Sequence, residues 1–99
     1  MTLDEVTERM RQRVGDDSGL GARVKFDFGG DGVILLDATQ TPNVVSNDDA
    51  EADCTIRISL DNFVEMGNGE LSPTMAFMMG KLKVDGDLGL AMKLQGLLG

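Results

Sequence analysis

The stretch "SPTMAFMMG", residues 72–80, constrains the fold more than any other part of the chain. Ser72 is a natural N-cap, Pro73 suits the first helical position and Gly80 suits the residue after the end, so the spacing predicts a short helix. Met75, Ala76, Phe77, Met78 and Met79 are then apolar at five successive positions. At about 100° per residue they circle the axis. A helix without a polar face has to be covered on every side. The last helical stretch is similar: Leu88, Leu90, Ala91, Met92, Leu94, Leu97 and Leu98 leave little besides a narrow strip of Gly89, Lys93 and Gly96. Methionine is the adaptable apolar side chain, used where a surface must fit more than one shape. An interlocked core, a dimer interface and a lining for an apolar ligand would each satisfy this excess, and the residues alone leave them open.

The rest of the chain supplies what such helices pack on. Thr2 followed by Glu5 reads as a capping box for a first helix, with Leu3, Val6, Met10 and Val14 on one stripe and Gly15 closing it. Residues 15–21 read as a loop. "ARVKFDF" alternates, with Val24, Phe26 and Phe28 on one face, and "GGDG" turns into the return strand "VILLDAT". Pro42 restricts the next strand to residues 43–46, at a sheet edge. "DCTIRIS" turns Cys54, Ile56 and Ile58 inward. Ser59 caps a helix carrying Leu60, Phe63 and Val64 that stops at Gly67, "KLKVDG" is the last strand, and Asp87 caps the last helix. Strands with one polar and one apolar face, covered by helices, make a two-layer α+β domain occupying residues 1–99.

Composition then excludes whole classes of function. Seventeen acidic against nine basic residues give a net charge of -8. That repels nucleic acid and argues against stable electrostatic docking on a membrane, leaving at most transient membrane contact. Histidine is absent, which removes the commonest general base and metal ligand. Cys54, the single thiol, falls at an inward strand position and reads as packing. The acidic run Asp48, Asp49, Glu51, Asp53 lacks the glycine and terminal glutamate of an EF-hand loop and reads as a solvated connection. Asp85 and Asp87 read as a turn and a cap, and the glycine clusters match no phosphate-binding loop. No metal, no cofactor and no catalytic residue are therefore expected. The chain is not read as an enzyme, and with no apolar leader in "MTLDEVTERM" a cytoplasmic protein is expected.

The ordered series "ADCTIRIS", "DNFVEMGNGELSP", "AFMMGKLKVDGD" and "LGLAMKLQ" resembles the sterol carrier protein type 2 family of lipid-binding domains. The resemblance implies a five-stranded, mostly antiparallel sheet with helices covering one face and an apolar tunnel between the layers. It also implies non-covalent binding of a fatty acid, fatty acyl-CoA or sterol-like lipid. Carried over by position, the ligand-facing residues are Phe63, Met66, Met75, Phe77, Met78, Met79, Leu82, Val84, Leu90 and Met92. Many relatives carry glutamine where this chain has Met79, which implies a cavity without that polar anchor. Many also continue to a peroxisomal tripeptide, whereas this sequence ends "LLG", which favours a stand-alone acyl-chain binder. The partner expected is thus a lipid or fatty acyl ligand, and a homo-oligomer is compatible with the sequence. The competing reading is an interaction or homodimerisation module whose methionine-rich groove receives a partner helix or a second copy.

Overall fold

Alternating side chains fix the sheet. In the computed structural model, which describes residues 2–14, 20–40 and 42–98 with side chains through Lys93, five strands form one sheet. They are β1 (Arg23–Asp27), β2 (Val33–Asp37), β3 (Val44–Ser46), β4 (Cys54–Ile58) and β5 (Leu82–Gly86), in the order β3-β2-β1-β4-β5. Neighbours are antiparallel except β1 and β4, which run parallel. The register aligns Ile34, Phe26, Ile56 and Val84 in one row across four strands. Leu36, Val24 and Cys54 form the next row. Four helices cover that apolar face: α1 (Leu3–Val14), α2 (Leu60–Gly67), α3 (Pro73–Met78) and α4 (Leu88–Leu98). The domain is the expected two-layer α+β arrangement.

The caps form as the sequence predicts. Thr2 and Glu5 exchange hydrogen bonds, the Thr2 N–H donating to Glu5 Oε1 at 3.1 Å and the Glu5 N–H to Thr2 Oγ1 at 3.3 Å. Ser59 accepts from the Asn62 N–H at 3.1 Å, Ser72 from the Met75 N–H at 3.2 Å, and Asp87 from the Gly89 N–H at 2.8 Å. Such caps contribute about 0.5–2 kcal/mol each. The expected stop of α1 at Gly15 lies outside the described residues.

The core lies between α1 and the sheet. Val6, Met10 and Val14, the stripe of α1, are buried against Val24, Phe26, Ile34 and Leu36. Phe63 of α2 tilts against Phe26 and Phe28, ring centroids 5.2 and 5.3 Å away. Each buried side chain of this size is worth about 1.5–3 kcal/mol.

Two features of the fold differ from the pattern in the sequence. Leu35 points to the polar face by alternation, yet it is buried. The connection from β3 to β4 must pass over β2 and β1, and Lys25, directly opposite Leu35, reaches Asp49 of that connection at 2.8 Å. The polar face is therefore partly roofed. Second, α3 is not buried all round. Only Ala76 is enclosed; Met75, Phe77, Met78 and Met79 are 50, 56, 75 and 56% exposed. This helix of six residues packs chiefly on β5, encloses one small side chain and leaves most of its others exposed. Likewise Leu88 and Met92 of α4 are exposed while Leu90 is buried; Leu94, Gly96, Leu97 and Leu98 lie outside the described side chains.

Candidate functional site: an open apolar cavity

The row that builds the sheet also builds the site. Phe26, Ile56 and Val84, adjacent across β1, β4 and β5, form the floor of a cavity of about 560 Å³, with Leu82 beside them. Val6 and Met10 of α1 make one wall, and Phe63, Val64 and Met66 of α2 another. Leu71 and Pro73 lead into α3, whose Phe77 stands at the rim with Leu88, Ala91 and Met92 of α4. Phe77, Leu88 and Met92 are more than half exposed, so the cavity opens to solvent on this side.

Polar groups are few and sit at the edge. Ser72 and Thr74 contribute there, as do Arg9 and Arg13. The two arginines are one turn apart on α1 and so share a face. Arg9 Nη1 donates to Asn68 Oδ1 at 3.5 Å and Arg13 Nη2 to the Gly67 carbonyl at 3.3 Å. Both therefore close on the C-terminal end of α2, where free carbonyls attract cations. The result is an apolar volume with two guanidinium groups on its border.

Of the residues that the sequence puts on the ligand side, Phe63, Met66, Phe77, Leu82, Val84 and Met92 line this cavity together. Leu90 is buried in the core beside it, while Met75 and Met78 of α3 and Met79 just after it are exposed. The α1 wall, Val6 and Met10 with Arg9 and Arg13, was not anticipated. Its signal was present: the apolar stripe of α1 is flanked at helical spacing by arginines.

The other chemistry-bearing residues stand apart from this site. Burial pushes the Cys54 thiol pKa up, and the carboxylates of Asp87 and Asp85 raise it further. A buried thiol held protonated is a poor nucleophile. Asp48, Asp49, Glu51 and Asp53 are exposed; Asp49 pairs with Lys25, and Asp53 Oδ2 accepts the Arg23 N–H at 3.0 Å. Among the described residues no group of three ligating side chains could hold a metal ion, and no helix is long and apolar enough to cross a membrane.

A mixed five-stranded sheet covered on one face by four helices, with an apolar cavity open between the layers, defines a two-layer α+β domain built around an apolar site. The chain belongs to the SCP-2 sterol transfer family, whose sequence profile matches residues 5–99. It is similar to sterol carrier protein 2 of Homo sapiens, 47% identical over 55 residues, which is 56% of this chain and 10% of that protein. The chain thus spans about a tenth of the length of this relative. Two solved relatives share the fold. The solution structure of sterol carrier protein domain 2 of Helicoverpa armigera superposes with a TM-score of 0.76 at 26% identity, covering 95% of this chain and 83% of that one. The crystal structure of sterol carrier protein 2 like 2 of Aedes aegypti gives 0.79 at 22% identity, covering 96 and 94%. The palmitated form of the same Aedes protein gives 0.74 at 24% identity, covering 99 and 95%.

Proposed function

We propose that the domain binds and carries an elongated apolar ligand without chemical conversion, in the cytoplasm. The observation that carries this reading is the open 560 Å³ cavity lined by Phe26, Ile56, Phe63, Leu82 and Val84. Its volume is that of about nineteen molecules of liquid water. A methylene group is of similar size, so a long acyl chain fits. About ten methylenes buried at roughly 0.8 kcal/mol each give roughly 8 kcal/mol before association costs. That gross figure is micromolar at best, which suits a carrier that must release its cargo. Arg9 and Arg13 on the rim favour an anionic end group, a carboxylate or the phosphates of an acyl thioester, over a neutral sterol hydroxyl. The Aedes relative is palmitated, which makes palmitate the first ligand to try.

Competition for a bound fluorescent fatty acid tests the proposal. Palmitate and palmitoyl-CoA are expected to displace the probe at micromolar or higher concentration and cholesterol less well. No displacement by either acyl ligand, or a sterol preferred a hundredfold, would contradict it.

A further inference from the structure

The two edges of the sheet are protected unequally. β3, at one edge, is three residues long, and Arg11 Nη2 of α1 donates to its Val45 carbonyl at 2.8 Å. Short strands and occupied backbone groups keep an edge from pairing with another chain. β5, at the other edge, is five residues long and mostly exposed. The Asp87 N–H donates to the Asp53 carbonyl at 3.1 Å, just past the pairing of Gly86 with Cys54. By alternation the backbone groups of Asp85 and Lys83 also turn to β4, and those of Leu82 and Val84 turn to the open edge. Among the described residues nothing bonds to them there.

Charge makes this edge complementary to itself. Lys83 and Asp85 alternate with the cavity-lining Leu82 and Val84, so they stand exposed on the opposite face. Lys83 lies directly across from Arg57, a like charge, while Arg57 Nε reaches diagonally to Asp85 Oδ2 at 2.9 Å. Among the described residues Lys83 has no carboxylate partner. An antiparallel copy of β5 must match outward backbone groups with outward ones, which leaves registers centred on Lys83, Val84 or Asp85. Centred on Lys83, the pairing sets lysine against lysine; centred on Asp85, aspartate against aspartate. Centred on Val84, it pairs the whole strand and sets each Lys83 against the other copy's Asp85. Asp85, its side chain 62% exposed, can hold Arg57 and a second cation, since a carboxylate offers two oxygens.

We infer that β5 is a homodimerisation edge, where two copies pair antiparallel about a two-fold axis at Val84 and join their five-stranded sheets into one. The axis runs perpendicular to the sheet, so both helix layers stay on the same side. α3, packed on β5, then stands beside its counterpart. The apolar surface of Met75, Phe77, Met78 and Met79, which its own chain leaves bare, gains cover at the seam. Leu82 and Val84 belong to the cavity lining, so the dimer sets two cavities side by side. The net charge of -8 on each copy opposes association. In physiological salt, however, charges more than about 8 Å apart are largely screened, whereas those at the seam touch.

Sedimentation equilibrium of the lipid-free protein in physiological salt tests this without reference to any ligand. The parent is expected to dimerise. Lys83→Asp and Asp85→Lys each place like charges across the seam, and each should weaken self-association about tenfold or more. Mixed in equal amounts, the two variants are complementary again in this one register and should form the heterodimer. Recovery on mixing also shows that neither variant has merely misfolded. A parent that stays monomeric at millimolar concentration would overturn the inference. So would self-association that neither variant weakens, or a loss in both that mixing does not restore.

Discussion

Val84→Trp is the most informative single change. Val84 is half-buried at the end of the row it shares with Phe26 and Ile56, which are 1 and 6% exposed. Its side chain packs against the core on one side and lines the cavity on the other. A larger side chain can extend into the open volume, so the cost of overpacking falls at or below the low end of the usual range of about 1–3 kcal/mol. An indole in place of an isopropyl group takes the space of about three further methylenes, and a bound chain loses their burial, at about 0.8 kcal/mol each. The sum, about 2.4 kcal/mol, is roughly a 60-fold weaker dissociation constant. The chain has no tryptophan or tyrosine, so the introduced indole is the sole strong fluorophore. Its emission reports whether it sits in the cavity, while a fatty-acid titration reports the affinity. Thermal melting, at about 4–8 °C per kcal/mol for a domain this size, should move by only a few degrees. An unchanged affinity with a buried indole would refute the reasoning about where cargo sits. A fall of about 15 °C or more would show that Val84 is packed rather than facing open space.

Other positions give independent checks. Gly86 has φ +96°, and a Cβ there would collide with the Asp53 carbonyl oxygen. Gly86→Ala is therefore expected to destabilise by about 3 kcal/mol or more in urea unfolding, through left-handed strain and steric overlap together. Hydrogen bonds from the Thr39 hydroxyl, the Thr39 N–H and Gln40, with the charge of Arg23, lower the Asp37 pKa. A group with a folded pKa below its unfolded value stabilises above the unfolded value, near pH 4, and loses that contribution as pH falls through the folded one. Asp37→Asn should accordingly lower the melting temperature at pH 7 and flatten its decline in acid, as acid-melting curves would show. Arg9→Gln should weaken palmitate up to about fivefold, the worth of an exposed ion pair, and leave hexadecanol unaffected in the same titration.

What the sequence disclosed follows from what periodicity can and cannot report. The inward faces of β1, β4 and β5, the four caps and the edge position of β3 depend on neighbours a few residues away, and each was legible. The exposure of α3 was not. Five apolar residues in succession say that a helix lacks a polar side; they do not say that anything is there to cover it. Leu35 fails the alternation rule for the converse reason: it is buried on the face that the β3–β4 connection crosses, where Lys25 beside it reaches Asp49. The cavity was legible from its C-terminal half, where the family resemblance was dense. Its α1 wall was missed because Val6 and Met10 meet Phe63 and Val84 only after more than fifty residues of intervening chain.

Seven methionines provide the most direct test of where cargo binds. Met10, Met66 and Met92 line the cavity, whereas Met75, Met78 and Met79 lie outside it. With carbon-13 on the methionine methyl groups, palmitate can be titrated and each signal assigned by single substitution. Ligand held in the cavity shifts Met10 and Met66, with Met92 at the rim, in step with one bound chain per protein, and leaves Met75 and Met78 in place. Shifts confined to Met75, Met78 and Met79, with Met10 and Met66 unmoved, would place the lipid on the outer surface of α3 and contradict a cargo-holding cavity.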